Sequence, residues 1–286
     1  MLAMPAFVGI GLGEPLASLR GLRRNRQADT SSAVNVFKPA RQLDAAARGG
    51  SVIGSVERLA RNTAGRDIIV GDVHGCFTLL RAALDRIAFD SSAGDRLIHV
   101  GDLVDRGPES ESVLEWLAQP WVHAVRGNHE DMAICWPSGG IDWIDYADNG
   151  GSWMITLDRE TQHEIAGSLS ALPIAIELET PAGLVGIVHA ECPFPSWQEF
   201  VGLLKDENLS NHRRQEAVSL ALWSRTRIEM EISSRVEGVV AVVVGHAPLR
   251  QLATHGNHIY IDTMGWSGGE FTLLDASTLR PVKASA

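Results

Sequence analysis

From Arg66 onward, short apolar runs alternate with amphipathic stretches. Asp67–Val70 reads as a buried strand that stops at Gly71, and Phe77–Ala88 then sets Leu80, Leu84, Ile87 and Ala88 on one helical stripe. Arg96–Val100 is a second strand and Trp121–Val125 a third. Between them Glu109–Ala118 reads as a helix with Val113, Leu114 and Leu117 inward. Strands alternating with helices predict an α/β architecture with a largely parallel sheet.

Farther along, Ser152–Leu172 reads as helical and ends at Pro173. Ile174–Leu178, Leu184–Val188, Val239–Val244, His258–Ile261 and Phe271–Leu274 follow as strands, with a charged, helix-prone stretch from Phe200 to Ile232. No internal repeat is visible. The pattern predicts one large α/β domain over residues 67–286.

Residues 1–66 differ: they show no steady periodicity and are rich in Ala, Gly, Ser and Arg. They carry ten Lys/Arg and four Asp/Glu, a net of +6; against −10 for the whole chain, that leaves −16 for residues 67–286. We read a flexible basic leader ahead of an acidic body. Its Gly9-x-Gly11-x-Gly13 run lacks a preceding strand and the last glycine of a dinucleotide-binding loop.

An acidic body works against nonspecific binding to nucleic acid or an anionic membrane surface. No apolar stretch reaches the ~18–20 residues of a spanning helix. Met1–Leu19 is broken by Pro5, Glu14 and Pro15, and its arginines follow the apolar part where a secretory signal would carry them before it. Cys76, Cys135 and Cys192 lack C-x-x-C spacing, which argues against a disulfide framework or a zinc ribbon. These features predict a soluble, cytoplasmic protein.

The candidate chemistry gathers at strand ends. Gly71-Asp72-Val73-His74-Gly75 follows the first strand, Gly101-Asp102-Leu103-Val104-Asp105-Arg106-Gly107 the second, and Arg126-Gly127-Asn128-His129-Glu130 the third. His189 and His246 close two later strands. Open sheets bind ligands beyond the carboxyl ends of their strands, so five such ends can converge on one crevice. A lone Asp-Gly is most often a turn, and a lone strand-end histidine most often structural. Five in order outweigh those readings.

These motifs, with Val188-His189-Ala190 and Gly245-His246-Ala247-Pro248, resemble the calcineurin-like metallophosphatases, in particular their phosphoprotein phosphatase branch. His189-Ala190-Glu191-Cys192 resembles the bacterial and phage members. The resemblance implies a β-sandwich flanked by helices, with two divalent metal ions at the strand ends. It makes Asp72, His74, Asp102, Asn128, His189 and His246 the metal ligands, with Asp102 bridging. Their mixed oxygen and nitrogen donors suit Mn²⁺, Fe or Zn²⁺, and Mn²⁺ is the expected pair. Two such ions ~3.5–4 Å apart can hold a bridging hydroxide for in-line attack on a phosphoryl group. By the same resemblance His129 is the general acid, Asp105 its partner favouring imidazolium, and Arg106, Arg126 and Arg225 the phosphate-binding arginines.

The activity so implied is hydrolysis of phosphoserine and phosphothreonine in a phosphoprotein or phosphopeptide. The alternative is a symmetrical dinucleoside tetraphosphate hydrolase, whose motifs resemble G-D-L-V-A-R-G and G-N-H-D; Asp105 and Glu130 stand at the differing places here. A degenerate scaffold ranks lowest, since no expected ligand is missing. His99 and His123 are expected to be packed strand residues and Asp262 a structural carboxylate. Arg213 and Arg227 are expected to be surface charges, and Met264 and Trp266 to line the substrate mouth.

Overall fold

The computed structural model describes residues 56–206 and 211–283; residues 1–55, most of the expected leader, lie outside the described residues. The boundary expected at residue 66 is corrected. Val56–Leu59 forms β1, paired in parallel with β5 (Ala175–Thr180) from Val56 opposite Ala175 to Leu59 opposite Leu178. Strand β1 closes one edge of its sheet, where charged residues such as Glu57 and Arg58 are tolerated and blur the apolar period. The connection onward is tied down as well: Asn62 donates to the Gly94 carbonyl at 2.9 Å, and Arg66 pairs with Asp95 at 2.6 Å.

Two sheets form the β-sandwich that the resemblance implied, where the apolar pattern alone suggested one largely parallel sheet. The first runs β1-β5-β6-β7-β9-β8, with β6 at Gly183–Val188, β7 at Ala241–Val244, β8 at Ala253–His255 and β9 at His258–Tyr260. The second runs β11-β10-β2-β3-β4, with β2 at Asp67–Val70, β3 at Arg96–His99, β4 at Val122–Ala124, β10 at Leu273–Asp275 and β11 at Arg280–Pro281. Strands β2, β3 and β4 are parallel, as are β6, β7 and β9. Antiparallel partners β10, β5 and β8 make both sheets mixed.

The sheets face each other across a core of Ile69, Ile98, Ile176, Val185, Ile187 and Val243. Alternate residues of the same strands point outward. Ile68, Val70 and Leu97 meet α1 (Phe77–Arg86), α2 (Val113–Leu117) and α3 (Asn128–Cys135). Val242 and Val244 meet α7 (Trp197–Lys205) and α8 (Asn211–Trp223). Each central strand is thus buried on both sides, which explains why it reads as an unbroken apolar run. Burying one Val or Ile side chain in this way contributes about 1.5–3 kcal/mol.

Helices α4 (Trp143–Asp148), α5 (Ser152–Ile155), α6 (Arg159–Ser170) and α9 (Thr226–Glu229) complete the elements used below. The single helix expected over Ser152–Leu172 is broken. Asp158 Oδ1 accepts the Glu160 and Thr161 N–H groups, each at 3.0 Å, and so caps a new helix.

Candidate active site

Each expected ligand stands where a central strand ends, and the backbone there is strained. His74, Asp102, Asp105, Arg106 and His246 all have positive φ, between 46° and 69°. Such conformations cost about 1–3 kcal/mol each and persist where surrounding contacts hold them. Glycine beside the ligands has a steric reason: a Cβ at Gly127 would collide with Asp102 Oδ1, and one at Gly245 with Asp72 Oδ1.

Three imidazoles are aimed by the backbone. His74 Nδ1 donates to the Val104 carbonyl at 2.9 Å, His189 Nδ1 to Val100 at 2.8 Å, and His246 Nε2 to Trp223 at 3.2 Å. Donating one ring N–H to a fixed carbonyl leaves the other nitrogen as a lone pair facing the crevice. His189 Nε2 and His246 Nδ1 both lie 2.9 Å from Asn128 Oδ1, and His189 Nε2 lies 3.3 Å from Asp102 Oδ1. Asp102 Oδ2 stands 3.7 Å from His74 Nε2 on its other side. Two groups of donors able to hold a cation result, His74–Asp102–His129 and Asp102–His189–His246, sharing Asp102.

The donor chemistry fits two divalent ions. Burial, then the charges of Asp262 and Asp102, pushes the Asp72 carboxyl well above its ordinary range. Burial would raise Asp102 too, but His189, His129 and His74 hold it well below. Burial disfavours charge on His189, which Asp102 nevertheless raises. Clustered buried carboxylates with imidazole and amide donors, and no thiolate, form a borderline-hard cation site. Asp72 stands beside these groups, its two oxygens accepting the His246 N–H at 3.2 and 3.1 Å.

His129 sits beside this set. Its Nδ1 meets Asp105 Oδ2 at 2.7 Å, and its Nε2 accepts from Arg106 Nη2 at 3.0 Å. Asp105 Oδ1 accepts from Trp153 Nε1 at 2.7 Å and from Tyr146 Oη at 3.2 Å. Burial pushes Asp105 up to about 8, opposed by the Trp153 and Tyr146 donors. Burial takes His129 down to about 3; Asp102 opposes this and Arg106 adds to it. Asp105 thus takes the Nδ1 side of the ring, while Arg106 engages its Nε2.

The three arginines separate. Arg106 reaches the centre, with Nη1 at 2.8 Å from His74 Nε2 and its guanidinium 4.7 Å from the Trp266 ring. Arg225 lies at the rim, its Nη2 donating to the His246 carbonyl at 3.3 Å. Arg126 is buried. Its Nη2 donates to the carbonyls of Ser170 at 2.5 Å and Leu172 at 3.4 Å, so it fastens the end of α6 to the turn after β4. A helix terminus offers unsatisfied carbonyls to a cation, which accounts for that post.

Other expectations fare variously. His99 is buried and accepts from Trp116 Nε1 at 2.8 Å, and His123 Nδ1 pairs with Glu57 at 2.9 Å, both packed strand residues. Asp262 Oδ1 accepts the Met264 N–H at 3.0 Å, a turn-holding role. Trp266 walls the site, its ring 4.7 Å from that of His74. Arg213 is exposed, whereas Arg227 is buried, donating through Nη1 to Ile232 and Ser234 carbonyls at 3.1 and 2.7 Å. Motif reading missed Glu130 as a brace, Tyr146 and Trp153 behind Asp105, and the Trp223 carbonyl; only Glu130 carried a signal, by its place in the third motif.

The calcineurin-like phosphoesterase profile matches residues 66–276. Serine/threonine-protein phosphatase 1 of Salmonella typhimurium is 36% identical over 212 residues, 72% of this chain and 89% of that protein. A symmetrical bis(5′-nucleosyl)-tetraphosphatase of Methylococcus capsulatus is 35% identical over 130 residues, 45% of this chain and 43% of its own length. The crystal structure of a candidate diadenosine tetraphosphatase superposes with a TM-score of 0.55 at 23% identity, covering 79% of this chain and 96% of that one, and so shares the fold. With the profile spanning β2 to β10 and every strand-end motif, this chain belongs to the calcineurin-like phosphoesterase family and is a phosphoester hydrolase.

Proposed function

We propose that the chain is a metal-dependent phosphomonoesterase that acts on phosphoserine and phosphothreonine in proteins, in the cytoplasm. The observation that carries this reading is the His129–Asp105 pair at 2.7 Å beside donor groups that share Asp102. Asp72, His74 and Asp102 would hold one ion, and Asp102, Asn128, His189 and His246 the other, with Mn²⁺ as the favoured metal. When bound, two such ions supply an activated water and a positive clamp for phosphoryl oxygens.

The chain's own groups account for the rest. Arg106 presents a planar fork that can leave the two imidazoles for two phosphoryl oxygens. That exchange removes a positive charge from beside His129 and brings in a negative one, and both changes raise the imidazole pKa. His129 can then carry a proton on Nε2 and deliver it to the departing alkoxide, while Asp105 fixes the ring through Nδ1.

The 36% identity to a serine/threonine-protein phosphatase over 89% of its length supports this substrate class. The tetraphosphatase match favours a dinucleoside tetraphosphate as the second reading. A panel comparing a phosphothreonine peptide with a dinucleoside tetraphosphate, after metal depletion and reloading with Mn²⁺, Mg²⁺ or Zn²⁺, decides between them. Faster turnover of the nucleotide under every metal would overturn the first reading.

A further inference from the structure

We propose that Glu191 is a positioning residue whose carboxylate holds Arg225 at the rim of the site, ready for a phosphoryl oxygen. Glu191 lies two residues beyond His189, just past the end of β6, and its carboxylate is nearly inaccessible. Its Oε1 accepts from Ser224 Oγ at 2.8 Å and its Oε2 from the Arg227 N–H at 2.9 Å. These partners bracket Arg225 in the chain. The neighbouring Ala190 N–H donates to the Ala221 carbonyl at 2.8 Å, so the strand-end loop grips the end of α8 at a second point.

The turn so held delivers two groups to the site. The Trp223 carbonyl accepts from His246 Nε2, and Arg225 Nη2 donates to the His246 carbonyl. Among the described residues the buried Arg225 Nε has no hydrogen-bond partner. A buried charged donor left without an acceptor is costly, and an anionic oxygen would satisfy it. Glu191 is not there to neutralise Arg227: it meets that residue's backbone N–H, while the Arg227 guanidinium donates to the Ile232 and Ser234 carbonyls. Its bonds fix the course of the turn.

This inference rests on the proposed function only in that the site binds phosphoryl oxygens. The test compares the Mn²⁺-loaded full chain with Glu191→Ala, Glu191→Gln, Ser224→Ala, Arg225→Ala and the Glu191→Ala/Arg225→Ala double variant. Inorganic phosphate binding is read by calorimetry, and KM and kcat on nitrophenyl phosphate alongside it. Arg225→Ala is expected to weaken phosphate binding about 10-fold or more, and Glu191→Ala about 5- to 20-fold, raising KM more than it lowers kcat. The double variant should be no weaker than Arg225→Ala alone. Glu191→Gln should recover most of the loss, because its amide oxygen can accept from Arg227 while its NH₂ donates to Ser224.

Effects of Glu191→Ala and Arg225→Ala that multiply, or unchanged phosphate affinity in Glu191→Ala, would overturn the assignment. Should Glu191→Ala fail to fold, Ser224→Ala decides: its weaker phosphate binding must vanish in an Arg225→Ala background. Calorimetry needs no turnover, so it judges Glu191 even if the wild-type chain proves to cleave nucleotides and not phosphopeptides.

Discussion

The carboxylate of Glu130 seats Asp102: its Oε2 accepts the Asp102 N–H at 2.8 Å and the Gly127 N–H at 2.7 Å. Its Oε1 takes Leu103 at 2.8 Å and Val104 at 3.3 Å. One buried side chain thus satisfies the left-handed turn that carries Asp102, the donor shared by both groups. Its place in the motif matters because it braces the loop.

Glu130→Gln should therefore destabilise the fold by about 2–3 kcal/mol, because an amide NH₂ would face donors in place of an acceptor. Denaturant unfolding and turnover should fall together, since Asp102 loses its seat. Unaltered unfolding would show that the turn holds itself.

Asp102→Asn should bind fewer than two divalent ions and lose nearly all activity, because the shared donor of both groups loses its charge. Its circular dichroism should match the wild type, as the core strands are untouched. Two tightly bound ions with full turnover would remove Asp102 from the bridging position.

His129→Gln should slow hydrolysis of a phosphoserine peptide by about 10²–10⁴-fold, and that of nitrophenyl phosphate much less. A serine alkoxide needs a proton as the P–O bond breaks; nitrophenolate does not. Metal content is measured first, then both rates across pH. Equal losses with metals in place would assign His129 to charge stabilisation.

The stability of the fold should fall in mild acid through His99. Burial holds its imidazole down to about 3, against about 6.5 in an unfolded chain. A depressed folded value means the neutral ring's contribution is complete above about pH 6.5 and is lost as pH falls from there toward 3. His99→Leu should flatten the stability profile between pH 6.5 and 4.5, by up to about 1.4 kcal/mol per pH unit, although it strands Trp116 Nε1. Parallel profiles for the two proteins would show that the ring titrates normally.

What the chain alone determined is local. Apolar runs at Asp67–Val70, Arg96–His99 and Ala241–Val244, followed at once or after one residue by Gly-Asp or Gly-His, specify strands that stop and turn at a polar residue. That is why Asp72, Asp102 and His246 were legible as candidate ligands. The tertiary structure decided the partners, which are distant in sequence. Arg126 lies next to Gly127 in the third motif, yet turns to Ser170, 44 residues on. Asp105 depends on Tyr146 and Trp153, 41 and 48 residues away, and His246 on a carbonyl at Trp223. Strand β1 escaped the pattern because edge pairing is satisfied by backbone and asks little of side chains. Periodicity reports which face of an element is buried; which atom a buried donor meets depends on how separate layers pack, and no local pattern encodes that.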